Sequence, residues 1–160
     1  MLDGYRAAKK EHFYGFRLHI AVNPDGGLAH YVLAPASPHD AAVAPELLKL
    51  LNRAVVFGDK EYIGLDKRDD APQQAQVITP VRSKQKKTLS QTDRMLLAHF
   101  RKRVETVNSL LDYLKVNNTL AKSHWELKTR IVGKLAPFSL LNALNKLSGG
   151  PLLRVAGCFF

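Results

Sequence analysis

The sequence predicts an α/β chain in which a mixed sheet is covered by helices. Short β-rich runs separated by turn signals, with one helix among them, fill the first 80 residues. A short buried-type apolar run at residues 54–58 ends on an acid. The second half carries long 3.6-residue periodicity. The order is strand, strand, helix, strand, strand, helix, helix, which a sheet flanked by helices satisfies.

Residues 13–22 form a β-rich run with Phe16, Leu18 and Ile20 on one face. The cluster Asn23-Pro24-Asp25-Gly26-Gly27 is a turn, and residues 28–33 read as a second strand. Together these predict a hairpin, closed by Pro35 and Pro38. Residues 41–51 predict a short helix with Val43, Leu47, Leu48 and Leu51 on its apolar side and Asp40 as its N-cap. Residues 54–58 are a strand, 62–75 are polar and ambiguous, and 76–80 are a short strand. A basic loop, 81–90, holds Arg82, Lys84, Lys86 and Lys87.

Leu97, Phe100, Val104, Val107, Leu111 and Leu114 recur at steps of three and four, one apolar stripe along a long helix. The next helix begins at Ser123, where Ser123-His124-Trp125-Glu126 has capping-box spacing. Leu127, Ile131 and Leu135 continue its apolar face, and Pro137 is expected to kink or end it. Trp125 reads as a core anchor, with base stacking as the alternative. From Gly149 onward no organisation is readable.

A chain of 160 residues suits one domain with a real core, and its 46% apolar content fits a globular protein. No apolar run approaches the roughly 20 residues that span a bilayer, and the first residues lack the apolar segment of a signal peptide. Cys158 alone cannot form an internal disulfide, so the expected compartment is the reducing cytoplasm. The net charge of +10 is unevenly spread. Residues 1–81 carry nine Lys/Arg against ten Asp/Glu, whereas 82–130 carry twelve against four. Such a basic half fits a surface that meets a polyanion through phosphate contacts and counterion release.

Two acids stand out. Asp59 ends the run Ala54-Val55-Val56-Phe57-Gly58, and open α/β sheets bind ligands at the carboxyl ends of their strands. Gly58-Asp59 is also ordinary turn chemistry. Glu105 follows Val104 and so flanks the buried stripe, about 100° around the helix. With Arg101, Asn108 and Asp112 it forms a polar seam, and its plain alternative is an i,i+4 ion pair with Arg101 worth about 0.2–0.5 kcal/mol. Two carboxylates beside a cationic run are what a divalent-metal phosphodiester site needs. Two metal ions roughly 4 Å apart can activate the attacking oxygen and stabilise the leaving one, and Mg2+ (or Mn2+) prefers hard oxygen ligands. Lys60, Arg82, Lys84, Arg101, Lys102 and Arg103 are the candidates for holding a DNA backbone without reading its sequence. His39 has no partner at metal-ligand spacing among His12, His19, His30, His99 and His124, which argues against zinc. A third carboxylate is expected of such a site, and none stands out.

The segments Tyr14-Gly15-Phe16-Arg17-Leu18-His19, Pro35-Ala36-Ser37-Pro38-His39-Asp40, Gly58-Asp59-Lys60-Glu61-Tyr62-Ile63-Gly64 and Arg103-Val104-Glu105-Thr106 occur in this order. Together they resemble the catalytic region of bacterial insertion-sequence DDE transposases, from about Tyr5 to Asn145. The resemblance implies an RNase H-like mixed sheet flanked by helices, with two aspartates and a glutamate holding Mg2+. It implies cleavage at transposon ends and strand transfer into target DNA, by a homodimer on paired ends. Asp59 then matches the second aspartate, Glu105 the glutamate, and Arg101 a basic position four residues before it.

The family's first aspartate lies on the first central strand, upstream of the segment matching Tyr5-Arg6. Asp3 sits in a short polar stretch and does not match it. Glu61 stands where glycine is common, and the tail after Lys146 departs from the family. The expectation is therefore an N-terminally truncated, inactive copy lacking that central strand, with residues 1–148 as a partial catalytic domain and 149–160 as an irregular tail. Loss of a central strand would leave its neighbours' edges unpaired. Two other readings stay open: a non-enzymatic DNA-binding remnant with vestigial acids, and an RNase H-like nuclease unrelated to mobile DNA.

Overall fold

A computed structural model of the chain describes residues 3–6, 11–51, 54–65, 75–81 and 88–154. The chain divides into two compact units, Met1–Ala21 with His30–His99, and Val22–Ala29 with Phe100–Phe160. Its character is α/β: among the described residues there are three α-helices and three two-stranded sheets.

In the first unit, β1 (Asp3–Arg6) pairs antiparallel with β2 (Glu11–Tyr14), placing Asp3 opposite Tyr14 and Arg6 opposite Glu11. β3 (Phe16–Val22) pairs with β4 (Leu28–Pro35), the expected hairpin. The run expected as one strand, 13–22, is thus two strands that part at Gly15 and take different partners. Local strand preference sets the conformation of such a run, but partner choice depends on residues distant in sequence. Helix α1 (Asp40–Lys49) packs on two neighbours. Its Val43 and Leu47 meet Val32 and Ala34 of β4 and Ala21 of β3. Its Ala44 and Leu48 meet Leu65, Val56, Tyr62 and Val77.

β5 (Val55–Phe57) and β6 (Gln76–Ile78) pair in parallel, with Val55 opposite Gln76 and Phe57 opposite Ile78. The ladder continues past both ends. Gln76 N donates to Ala54 O at 3.0 Å, and Gly58 N donates to Ile78 O at 2.9 Å. Among the described residues, antiparallel and parallel pairing occur in separate two-stranded sheets and not within one sheet, so the α/β character of the expectation is met at the level of small sheets and helices.

Helix α2 (Gln91–Tyr113) starts in the first unit and enters the second at Phe100, and α3 (His124–Leu147) lies wholly in the second. Ser90 starts α2, its hydroxyl accepting from Asp93 N at 3.0 Å. Val107 and Leu111 are the buried members of the predicted stripe, while Leu97, Phe100, Val104 and Leu114 are half-buried. Ser123 caps α3 as its spacing predicts, accepting from Glu126 N at 3.1 Å. Glu126 reaches back to Lys122 N at 2.9 Å, one residue upstream of the usual reciprocal partner.

Pro137 does not end α3. The buried residues Ile131, Leu135, Phe138 and Asn142 run at steps of four, three and four across it, so packing holds the helix on both sides. Pro137 and Gly133, whose carbonyl loses its i+4 donor, both lie exposed, where water can take that bond. Beyond α3, Leu153 is buried and donates its N–H to Asn142 Oδ1 at 3.2 Å. It fills the space above Gly26, where a Cβ would lie 2.6 Å from Leu153 Cδ2. Lys146 pairs with Asp25 at 2.6 Å, holding that carboxyl below its usual range. The tail is thus anchored on the turn 23–27 as far as residue 154.

Among the described residues, no helix is long and apolar enough to cross a membrane.

Candidate active site

Asp59 follows the carboxyl end of a parallel strand, as its sequence position predicts. It caps a 3-10 turn (Lys60–Tyr62), and its Oδ1 accepts from Lys60 N at 2.6 Å. The turn reading of Gly58-Asp59 is therefore realised. It does not exclude a second role, because that bond occupies one oxygen of an exposed carboxylate. The flanking residues explain the local shape. A Cβ on Gly58 would lie 3.2 Å from Tyr62 Cβ, so glycine lets Tyr62 fold back over the strand end. Gly64 has φ +90, a left-handed conformation that favours glycine. Leu65 then enters the core beside α1.

Polar residues from three separated segments gather beside this turn. Arg17 Nη1 donates to Asp40 Oδ1 at 2.6 Å, with both side chains about a quarter exposed (27% each). Ala36 N donates to Gly15 O at 2.9 Å. His39 Nε2 lies 3.3 Å from Glu61 Oε2. Tyr62, half-buried, has its hydroxyl pKa pushed up to about 12, by burial first and then by the carboxylates of Asp40, Asp59 and Glu61. Three of the four sequence segments singled out above thus form one structural cluster in the first unit.

Asp40 was expected to cap α1, but His39 is the N-cap, its Nδ1 accepting from Ala41 N at 3.3 Å. The reason is long-range. The Asp40 carboxylate is taken by Arg17, 23 residues upstream, and Asp40 becomes the first helical residue, where its charge suits the helix dipole.

His19 lies behind this cluster on β3, 7% exposed, and its Nε2 has no hydrogen-bond partner. Burial holds its pKa below the ordinary value. The carboxylates of Asp40 and Glu46 pull the other way, while Arg17 adds to the lowering.

Glu105 sits on α2 in the second unit. Its Oε1 accepts from Arg101 Nε at 3.0 Å, the i,i+4 pair, and both side chains are well exposed. Lys60 and Lys102 are exposed, and Arg103 is half-buried. Arg82 and Lys84 lie outside the described residues. Trp125, read as a core anchor, is instead 80% exposed, because the buried residues of α3 begin further along, at Ile131, and on another side. Asp59 belongs to the first unit and Glu105 to the second. Among the described residues, no group of three or more His, Cys, Asp or Glu side chains could hold a metal ion.

A family model described as the transposase DDE domain matches residues 3–136. The chain belongs to that family. Neither the curated proteins nor the solved structures yield a match. The matched span of this DDE transposase domain includes Asp59, Glu105 and all four segments that carried the resemblance. It stops just before Pro137, so the second half of α3 and the anchored tail lie beyond it.

Sequence reasoning missed several members of the transposase cluster. Arg17 and Asp40 give no pairing signal, because 23 residues separate them. Glu61 stood out only as a departure from glycine, and the structure sets it against His39. His19 was one of six scattered histidines. Its position in a strand between apolar neighbours, Leu18 and Ile20, is the one local hint that it is buried.

Proposed function

We propose that this domain has an RNase H-like arrangement and serves DNA transposition of an insertion sequence, cutting transposon ends and joining them to target DNA. The family match over residues 3–136, with an exposed Asp59 at the carboxyl end of a parallel strand, is the observation that carries this reading. Asp59 and Glu105 are the proposed catalytic acids and metal ligands, with Mg2+ (or Mn2+) as the ion. Both offer hard oxygens on exposed side chains, which is the donor chemistry those ions take. When bound, the metal supplies activation of the attacking oxygen and stabilisation of the leaving one.

The chain's own residues do the rest. Arg101 holds Glu105 by a charge-assisted bond, which fixes the carboxylate along the helix. Lys60, Lys102 and Arg103, with Arg82 and Lys84, are proposed to hold the phosphodiester backbone. The proposed working assembly is a homodimer on two DNA ends. Two of the three acids of such a site are assigned here, so by itself the chain is proposed to bind DNA and to turn over feebly or not at all.

A second reading has its own support. Both acids already serve local structure, Asp59 as a cap and Glu105 as an ion-pair partner, which fits a DNA-binding remnant with vestigial acids. The two readings separate in one experiment. Mg2+-dependent nicking of supercoiled DNA is compared for this chain, Asp59→Ala and Glu105→Ala. Nicking that both substitutions abolish supports the catalytic reading. Equal nicking by all three, or none beside intact DNA binding, favours the remnant.

A further inference from the structure

Helix α3 has two apolar faces, and the core of the second unit uses one. Ile131, Leu135 and Phe138 are buried. Centred about 130° round the helix from them, Trp125, Thr129, Val132, Ala136, Leu140, Ala143 and Leu147 follow at steps of four, three, four, four, three and four, and every one is exposed. At 100° per residue the seven fall within roughly 80° of the helix surface, along a stripe about 33 Å long. No charged residue interrupts it. The Thr129 hydroxyl donates to Trp125 O at 3.1 Å, so covering the stripe strands no polar group there.

The stripe is also symmetric about Ala136. Trp125 mirrors Leu147, Thr129 mirrors Ala143, and Val132 mirrors Leu140. An antiparallel two-fold contact can use this pattern along its whole length, because residue i of one copy then meets residue j of the other, j meets i, and both lie on the stripe. The small Ala136 sits at its centre, with Gly133 bordering it, where two crossing helices come closest. Nothing lies within 4 Å of a Cβ placed on Gly133. Trp125, Leu140 and Leu147 are 80%, 60% and 85% exposed. The stripe therefore offers roughly 700 Å2 per copy, close to the ~800 Å2 per partner of a standard interface.

We propose that this face docks a second copy of the chain, α3 against α3, antiparallel about a two-fold axis at Ala136. The proposal deepens the homodimer of the preceding section by naming its surface, but it follows from α3 alone and is tested without DNA. Because each copy carries +10, a dimer held by an uncharged stripe tightens as salt rises. DNA binding weakens under the same change.

Sedimentation velocity of the full chain at micromolar concentration is expected to show the dimer, with far-UV circular dichroism as the fold control. Leu140→Lys sets a charge beside the axis and is expected to raise the dimer Kd by roughly 100-fold. It leaves helicity intact, since the residue is exposed in the single chain. In a Cys158→Ser background, Ala136→Cys is expected to form a disulfide with its own copy. Thr129→Cys and Ala143→Cys cross-link only when the two are mixed. A single-chain species at about 100 µM, a dimer unmoved by Leu140→Lys, or self-linking of Thr129→Cys overturns the proposal. A dimer that nicks nothing leaves it standing and counts against the chemistry alone. Nicking by a single chain does the reverse.

Discussion

Asp59 holds a local cap and is the proposed metal ligand, and two substitutions separate these roles. Asp59→Asn keeps a side-chain oxygen where Oδ1 accepts from Lys60 N at 2.6 Å, whereas Asp59→Ala removes it. An N-cap is worth about 0.5–2 kcal/mol, and an exposed cap on a turn of three residues belongs at the low end. For a chain of this length 1 kcal/mol moves Tm by about 2–4 °C. Asp59→Ala should therefore lower Tm by about 1–3 °C, and Asp59→Asn by less than about 1 °C, since Asn caps nearly as well as Asp. Metal binding ranks them differently, because both substitutions remove the anionic oxygens that a hard cation prefers. Thermal melts followed by circular dichroism give the first ranking. The electron paramagnetic resonance signal of added Mn2+, read beside plasmid nicking, gives the second. If Asp59→Asn keeps the Mn2+ binding of the parent chain, Asp59 is not a ligand. If the two substitutions destabilise equally, the cap contributes nothing.

Three other outcomes are expected. His19 has a depressed pKa from burial, so the unfolded chain takes up a proton that the folded chain refuses, and stability falls as pH drops below about 6.5. The loss is at most about 1.4 kcal/mol per pH unit and stops once pH passes the folded-state value; His19→Leu should remove this slope from urea melts taken between about pH 7.5 and 5, and parallel slopes would refute it. Gly64→Ala should cost about 1–2 kcal/mol through backbone strain alone, since φ is +90 and no atom lies within 4 Å of the added carbon; an unchanged denaturation midpoint would refute that. Lys102→Ala should reduce the slope of log affinity for DNA against log salt by about 0.9, and an unaltered slope places Lys102 on a solvated surface.

The parts of the fold legible in the sequence are those whose cause is local. The stripe from Leu97 to Leu114, the cap at Ser123 and the turn at 23–27 each depend on residues within one or two turns of chain, and each forms as expected. What the sequence hid depends on partners far along the chain. Asp is a better N-cap than His in isolation, yet Arg17 removes Asp40 from that role. Proline usually breaks a helix, yet Leu135 and Phe138 are both buried and hold α3 through Pro137. Trp125 has the size of a core residue, but its angle on α3 sets it about 110° round from the centre of the buried face.

The segment 58–64 separates what packing explains from what chemistry must explain. Gly58 is fixed by Tyr62 above it, Tyr62 by the α1 core, and Gly64 by its left-handed backbone. These positions would be needed by any protein with this turn, so they say nothing about reaction. Asp59, Lys60 and Glu61 are the exposed members between them. A cap at position 59 is met about equally well by Asn or Ser, so the turn calls for a hydrogen-bond acceptor and not for a charge. The negative charge of Asp59 has no use in the local fold beyond that bond. That surplus, at the carboxyl end of a parallel strand, is what a metal-dependent function would explain, and it is the property Asp59→Asn removes while leaving the turn in place.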